Sequence, residues 1–217
     1  SALENQAMTG TARNRFLTGR LVKFAGDSLY AVACQCRNSF YIPGGFEVKF
    51  GYNTKDSLPP LEIQSPDGSL IKVKGKIDRY DYWDHEGVRY FRIIDYKSSK
   101  HTLNPGEAYD GYKMQLMTYM DAVEAAISQK GGQPVCGGVF YFDIPTGRVK
   151  NAEFSLKGLV YDVRENIEAM AGENGKGGLK LYGQRVTGCS GVPEGGFDFL
   201  KNRVRANIAD ITRKIRQ

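Results

Sequence analysis

Between residues 11 and 37 the apolar side chains Phe16, Leu17, Val22, Phe24, Leu29, Val32 and Ala33 recur at roughly helical intervals, which predicts helices with breaks at Gly19 and Gly26. After Pro43-Gly44-Gly45 the pattern changes to alternation, Phe46-Glu47-Val48-Lys49-Phe50, the mark of a half-buried strand on which Glu47 faces away from Phe46 and Val48. Leu61-Glu62-Ile63 and Leu70-Ile71-Lys72-Val73 flank Ser65-Pro66-Asp67-Gly68, so the turn chemistry of Pro-Asp-Gly predicts a hairpin. A second hairpin is expected to turn at Asp84-His85-Glu86-Gly87. Its two strands carry Asp78 and Asp95, which are thereby set side by side.

The clearest helical stripe lies in residues 105–128, where Tyr112, Leu116, Met120, Val123 and Ile127 share a face. Gln115, Tyr119, Ala122 and Ala126 line an adjacent face. Gly132-Gln133-Pro134 ends the helix, and residues 135–144 are apolar enough for a central strand. Residues 156–170 have helical spacing, and residues 171–188, with six glycines, read as a mobile loop. Phe197, Leu200, Val204, Ile208, Ile211 and Ile215 predict a final amphipathic helix whose outer face bears Lys201, Arg203, Arg205, Arg213 and Lys214. That basic face is a solvated surface or a phosphate-tracking one. The succession of elements predicts an α/β fold with a central mixed sheet flanked by helices.

A chain of 217 residues is long enough for one sizeable core, and a single domain over residues 1–217 is expected. No apolar run approaches the roughly 18 residues of a membrane span, and no signal-peptide core is present, so a cytoplasmic protein without membrane contact is expected. The net charge of +6 favours a polyanionic partner only slightly. Cys34, Cys36, Cys136 and Cys189 show no zinc-ligand spacing and read as reduced thiols.

The chemistry concentrates in Gly75-Lys76-Ile77-Asp78-Arg79 and Asp95-Tyr96-Lys97. Two carboxylates on neighbouring strands can hold a hard divalent cation through oxygen. Lys97 lies two residues beyond Asp95 and so points the same way, while Tyr96 turns elsewhere. Such a cation lowers the pKa of bound water, and a nearby ammonium can orient that water or share transition-state charge.

The order Asp78, then Asp95-Tyr96-Lys97, then Gln115-Leu116-Met117-Thr118-Tyr119 resembles the RecB-type branch of the PD-(D/E)xK nuclease superfamily. The wider pattern, from Phe46-Glu47-Val48-Lys49-Phe50-Gly51 through Leu58-Pro59-Pro60-Leu61 to Gly138-Val139-Phe140-Tyr141-Phe142, is similar to AddB-type nuclease domains of bacterial ATP-dependent helicase-nucleases. The resemblance implies a restriction-endonuclease-like core and a Mg²⁺-dependent DNA exonuclease, with Mn²⁺ a possible substitute, acting on a single-stranded DNA end during double-strand-break processing. It implies Asp78, Asp95, Lys97 and Gln115 as catalytic residues. Asp78, Asp95 and the Tyr96 backbone carbonyl become metal ligands with Glu47 as a further one, and Tyr119 and Arg79 support DNA. A partner helicase-nuclease A subunit is implied for the intact complex.

Relatives of this type carry an iron–sulfur cluster, but the cysteines here are not in the expected places, so the cluster is expected only in the intact subunit. The opening Ser1-Ala2-Leu3, without an initiator Met, agrees with an excised fragment. RecB-type sites often add a histidine from an upstream helix. His85 and His101 both follow Asp78 in predicted loops, and neither fits that role. The alternative is a catalytically silent module of the same fold, serving as DNA-strand guide or subunit scaffold.

Overall fold

The computed structural model describes residues 10–99, 101–143, 156–172, 179–182 and 185–216. Helix α1 spans Ala12–Asn38 without a break at Gly19 or Gly26, and its first turn is capped by the Thr11 side chain, which accepts from the Asn14 N–H. The expected interruptions fail because both glycines lie in open space, where a flexible residue weakens a helix without forcing it to end. Strand β1 (Ile42–Phe50) follows, then the β2 (Leu61–Gln64) and β3 (Leu70–Val73) hairpin, which forms its own two-stranded sheet.

Strands β4 (Gly75–His85) and β5 (Val88–Lys97) pair antiparallel through the turn at Glu86 and Gly87. Both turn residues have positive φ, 51° and 81°, the conformation a two-residue hairpin needs to match strand twist. Beyond β5 the expected single helix over 105–128 is two: α2 (Pro105–Tyr109) and α3 (Gln115–Gln129). Gly111 at φ 83° makes the break, with its Cα so close to Asn207 that a Cβ would sit 3.0 Å from the amide nitrogen. Tyr112, placed on the buried stripe by periodicity, is instead 83% exposed in the connecting turn.

Strand β6 (Pro134–Asp143) runs parallel to β5, as a strand–helix–strand crossover requires. The helix expected from the spacing of residues 156–170 is a strand, β7 (Leu156–Tyr161), followed by the short helix α4 (Arg164–Ala171). Leu156, Leu159 and Val160 are all buried at a spacing that fits either element, and pairing with β6 decides for the strand. Within the stretch expected to be a loop, β8 (Lys180–Tyr182) and β9 (Arg185–Thr187) pair as a small hairpin, while residues 173–178 and 183–184 of that expectation lie outside the described residues. β10 (Cys189–Val192) joins the main sheet, and α5 (Gly196–Arg216) closes the described chain, residue 217 lying outside it.

The main sheet is mixed and six-stranded, in the order β1-β4-β5-β6-β7-β10, so the fold is α/β as the sequence predicts. Alternation sends neighbouring residues to opposite cores. Ile93 and Val139 face α3, with Leu116, Met117, Met120, Leu200 and Val204, whereas Ile94 and Phe140 face the other side with Tyr41, Leu156 and Met170. On that second side the Tyr41 hydroxyl donates to Asn166 Oδ1 at 2.6 Å, and the Asn166 amide donates to the Gly137 and Tyr161 carbonyls. No helix among the described residues is long and apolar enough to cross a membrane.

Candidate active site

The β4–β5 ladder ends at the pair Arg79–Ile94, one residue before Asp78 and Asp95 would meet. There the Asp78 side chain replaces the missing backbone partner, its Oδ2 accepting the Tyr96 N–H at 2.9 Å. Ile77 packs in the α3-side core, whereas Arg79 is buried on the opposite face with Asp81, so alternation fails locally. Across the pair, Phe46 lies under the Arg79 guanidinium and Val48 packs with the α3-side core. The expectation that Phe46 and Val48 share a face is therefore corrected. The cause is Glu47, a non-glycine residue at φ 52°, whose left-handed backbone breaks the period of two.

Asp95 sits on the α3 side, aligned with Tyr141 of β6, and is 2% exposed. Lys97 Nζ lies 2.6 Å from Asp95 Oδ2 and 3.4 Å from Gln115 Oε1 at the start of α3. Gln115 Nε2 donates in turn to the Tyr119 hydroxyl at 2.8 Å, and the Tyr119 ring meets Phe50 edge-on. Asp95, Lys97, Gln115 and Tyr119 thus form one connected chain, with Asp78 close enough to act on Asp95 electrostatically. Burial raises the Asp95 carboxyl above the usual carboxylate range, the Lys97 ammonium opposes the rise, and Asp78 adds to it. Burial, with Asp95 nearby, likewise pushes the Tyr141 phenol up to about 12.

Glu47 is exposed and ion-paired with Lys76, a contact that holds the lysine above its ordinary value. Arg79 is not positioned to touch DNA. It is fully buried on the far side of the sheet, forked onto Asp81 at 2.6 and 2.7 Å, the carboxylate partner that a buried guanidinium needs. His101, set aside in the sequence as a loop residue that does not fit the upstream-histidine role, lies near the site. Its main-chain N–H donates to Asp143 Oδ1 at 3.1 Å, its ring centroid is 5.4 Å from that of Tyr141, and it is near enough to Asp95 to favour the ionised carboxylate. Its place depends on the path of the loop after β5, which no local pattern encodes. His85, by contrast, stacks on Trp83 at 4.5 Å, away from these groups.

The sequence matches the family described as the PD-(D/E)XK nuclease superfamily over residues 2–190. This chain belongs to that superfamily. It is 30% identical over 237 aligned residues to the B subunit of the ATP-dependent helicase/deoxyribonuclease of Bacillus anthracis, covering 98% of this chain and 20% of the relative. The protein of the same name from Alkaliphilus oremlandii is 31% identical over 166 residues, 76% of this chain and 14% of the relative. That from Caldanaerobacter subterraneus subsp. tengcongensis is 37% identical over 138 residues, 63% and 12% respectively. The chain therefore spans a fifth or less of the length of these relatives.

PD-(D/E)XK nucleases generally depend on a divalent metal. The donors here fit one: Asp95 Oδ2 is buried with the Lys97 ammonium 2.6 Å away, and Asp78 adds a second hard carboxylate. Among the described residues no three His, Cys, Asp or Glu side chains come together, so main-chain oxygen or water would complete the coordination. The thiols lie in separate surroundings. Cys136 is buried in the α3-side core with its thiol pushed up by burial, Cys189 packs against the opposite core, and Cys36 accepts from Arg79 at 3.4 Å.

Proposed function

We propose that this chain is a Mg²⁺-dependent deoxyribonuclease domain that hydrolyses phosphodiester bonds at a DNA end, as one domain of a longer cytoplasmic helicase-nuclease subunit acting with an A-type partner. Asp78, Asp95 and the Tyr96 carbonyl hold Mg²⁺, with Glu47 reaching it directly or through water, and Mn²⁺ can substitute. The bound ion supplies Lewis acidity and a water of lowered pKa. Lys97 orients the attacking water and shares charge developing on the phosphate, while Gln115 fixes the ammonium and Tyr119 fixes Gln115. Any iron–sulfur cluster belongs to the intact subunit and not to these four cysteines. The observation that carries this reading is the buried Asp95 carboxylate set beside both Asp78 and the Lys97 ammonium at the end of the β4–β5 hairpin. Incubating the protein with end-labelled single-stranded DNA in Mg²⁺, with a chelator control, tests it. Stepwise shortening in Mg²⁺ alone is expected, and intact DNA in both conditions favours the silent strand guide or scaffold.

A further inference from the structure

Helix α1 buries only its C-terminal end. Ala31 and Gln35 are its two buried residues, and upstream of Ala31 every residue is exposed or half-buried. A helix without a packed face is marginal in water, since tertiary burial supplies most of its stability. The uncovered length is nonetheless apolar. Phe16, Leu17, Leu21, Val22, Leu29 and Tyr30 are all exposed, Val22 at 67% and Leu29 at 70%. Val22, Ala25 and Leu29 succeed one another at three and four residues on the side turned away from Ala31 and Gln35, the spacing with which one helix seats against another. Gly26 beside them has open space where a side chain would stand.

An apolar patch of this kind marks a contact surface. Its charges are one-sided: α1 carries Arg13, Arg15, Arg20, Lys23 and Arg37 against Asp27 alone, and Asp27 pairs with Lys23 at 2.7 Å. A second copy would bring the same cations to the seam, and a further net charge of +6, so like charges oppose self-association. Nucleic acid would meet the cations but leave the aliphatic side chains in water. It would also find the candidate site on the far side, because Ala31 packs in the core with Ile94 and Phe140, on the face of the sheet opposite Asp95. The relatives, by contrast, are at least five times as long as the stretch they share with this chain, so most of such a polypeptide lies outside it.

We infer that the outward face of α1, centred on Val22 and Leu29, seats an apolar surface flanked by carboxylates that belongs to the part of the longer subunit outside this chain. This rests on the reading of the chain as one domain of such a subunit and not on its chemistry. Docking there covers the aliphatic side chains and sets carboxylates against the excess of cations on α1. It also leaves the α3 side, with Asp95 and Lys97, uncovered.

The test is hydroxyl-radical footprinting, read by mass spectrometry, on this chain and on the full-length subunit. Leu21, Val22 and Leu29 are expected to label readily in the chain alone at every concentration and to lose most of that labelling in the subunit. Val22→Lys combined with Leu29→Lys should leave the urea midpoint of the chain unchanged, since both side chains are exposed there, and should restore the labelling of Leu21 in the subunit. Equal labelling of wild-type chain and subunit overturns the inference. So does protection that grows with the concentration of the chain, which assigns the face to a second copy, and so does protection that appears only when DNA is added. A fall in the chain's own midpoint in the double variant overturns it as well, making this face part of the domain's own fold. A native polypeptide no longer than these 217 residues would refute the longer-subunit reading itself, and the inference with it.

Discussion

The carboxylate of Asp78 takes the main-chain N–H of Tyr96 at 2.9 Å, at the point where β4 and β5 stop exchanging backbone hydrogen bonds. A side chain thus completes a ladder that the backbone abandons, and the two strand ends can diverge without leaving that N–H unpaired. The same carboxylate is close enough to Asp95 to raise it. One group therefore closes the sheet and contributes a donor to the candidate site.

Asp95→Ala is expected to abolish Mg²⁺-dependent cleavage, because the buried donor is lost and no route of similar barrier replaces it. Lys97→Ala is expected to slow cleavage by about 10²–10³-fold, the range for removing one preorganised charge. Both variants should keep most of their DNA affinity, since phosphate contacts are spread over several side chains. Single-turnover rates and anisotropy on the same preparations check this, and equal cleavage by Asp95→Ala and wild type would refute the assignment.

The raised Asp95 carboxyl has a sign that can be measured. Its folded value lies above the unfolded one, so between the two the native state holds more protons than the unfolded chain, and stability falls as pH rises through that window. Asp95→Asn should flatten the fall in metal-free protein and gain on wild type towards neutral pH. Mg²⁺ at about a hundred times its dissociation constant should stabilise wild type by roughly 2.7 kcal/mol and the Asn variant far less. Urea denaturation from acid to neutral pH, with and without Mg²⁺, reads both effects.

Behind the candidate site Asp81 holds two guanidiniums, Arg79 at 2.6 Å and Arg92 at 2.8 Å, and all three side chains are fully buried. Asp81→Ala leaves both cations without their partner. The expected loss is about 3–5 kcal/mol of folding stability, visible as a lower urea midpoint. A loss below about 1 kcal/mol, the scale of an exposed pair, would mean that the cluster is hydrated.

Gln115→Ala removes the group that meets Lys97 from α3, and Tyr119→Phe removes the hydroxyl that holds Gln115. Cleavage is expected to fall about tenfold in the first and less in the second, through loss of positioning. Both residues reach solvent, so stability should change by no more than about 1 kcal/mol. An unchanged rate in Gln115→Ala would remove it from the site.

The β4–β5 hairpin, which brings Asp78 near Asp95, is legible in the sequence because its two-residue turn is a local property. The break at Gly111 is harder to read, since the apolar spacing runs on through it and the hydrogen bond that secures the turn, Asn207 to the Tyr109 carbonyl, comes from a residue 98 positions away. β7 looks helical because Leu156, Leu159 and Val160 fit a helix stripe and a buried strand equally well until β6 is beside them. Arg79 reads as reaching DNA because nothing in Ile77-Asp78-Arg79 reveals that Asp81, two residues on, turns with it into the core. The nearness of His101 to Asp95 is not legible, because its neighbourhood is set by a loop tied to Asp143 on another strand.

The buried Arg79–Asp81–Arg92 cluster also acts as a ruler. Asp81 stands directly opposite Arg92 across the β4–β5 ladder, and Arg79 follows on the same face. Sliding β4 by one residue would turn Arg79 and Asp81 towards the apolar α3-side core and leave Arg92 alone, so a single alignment of the two strands is tolerated. That alignment is the one in which the last backbone pair falls at Arg79–Ile94 and the next two residues are Asp78 and Asp95. The buried reverse of the sheet thereby dictates which two carboxylates come next at the open end of the hairpin.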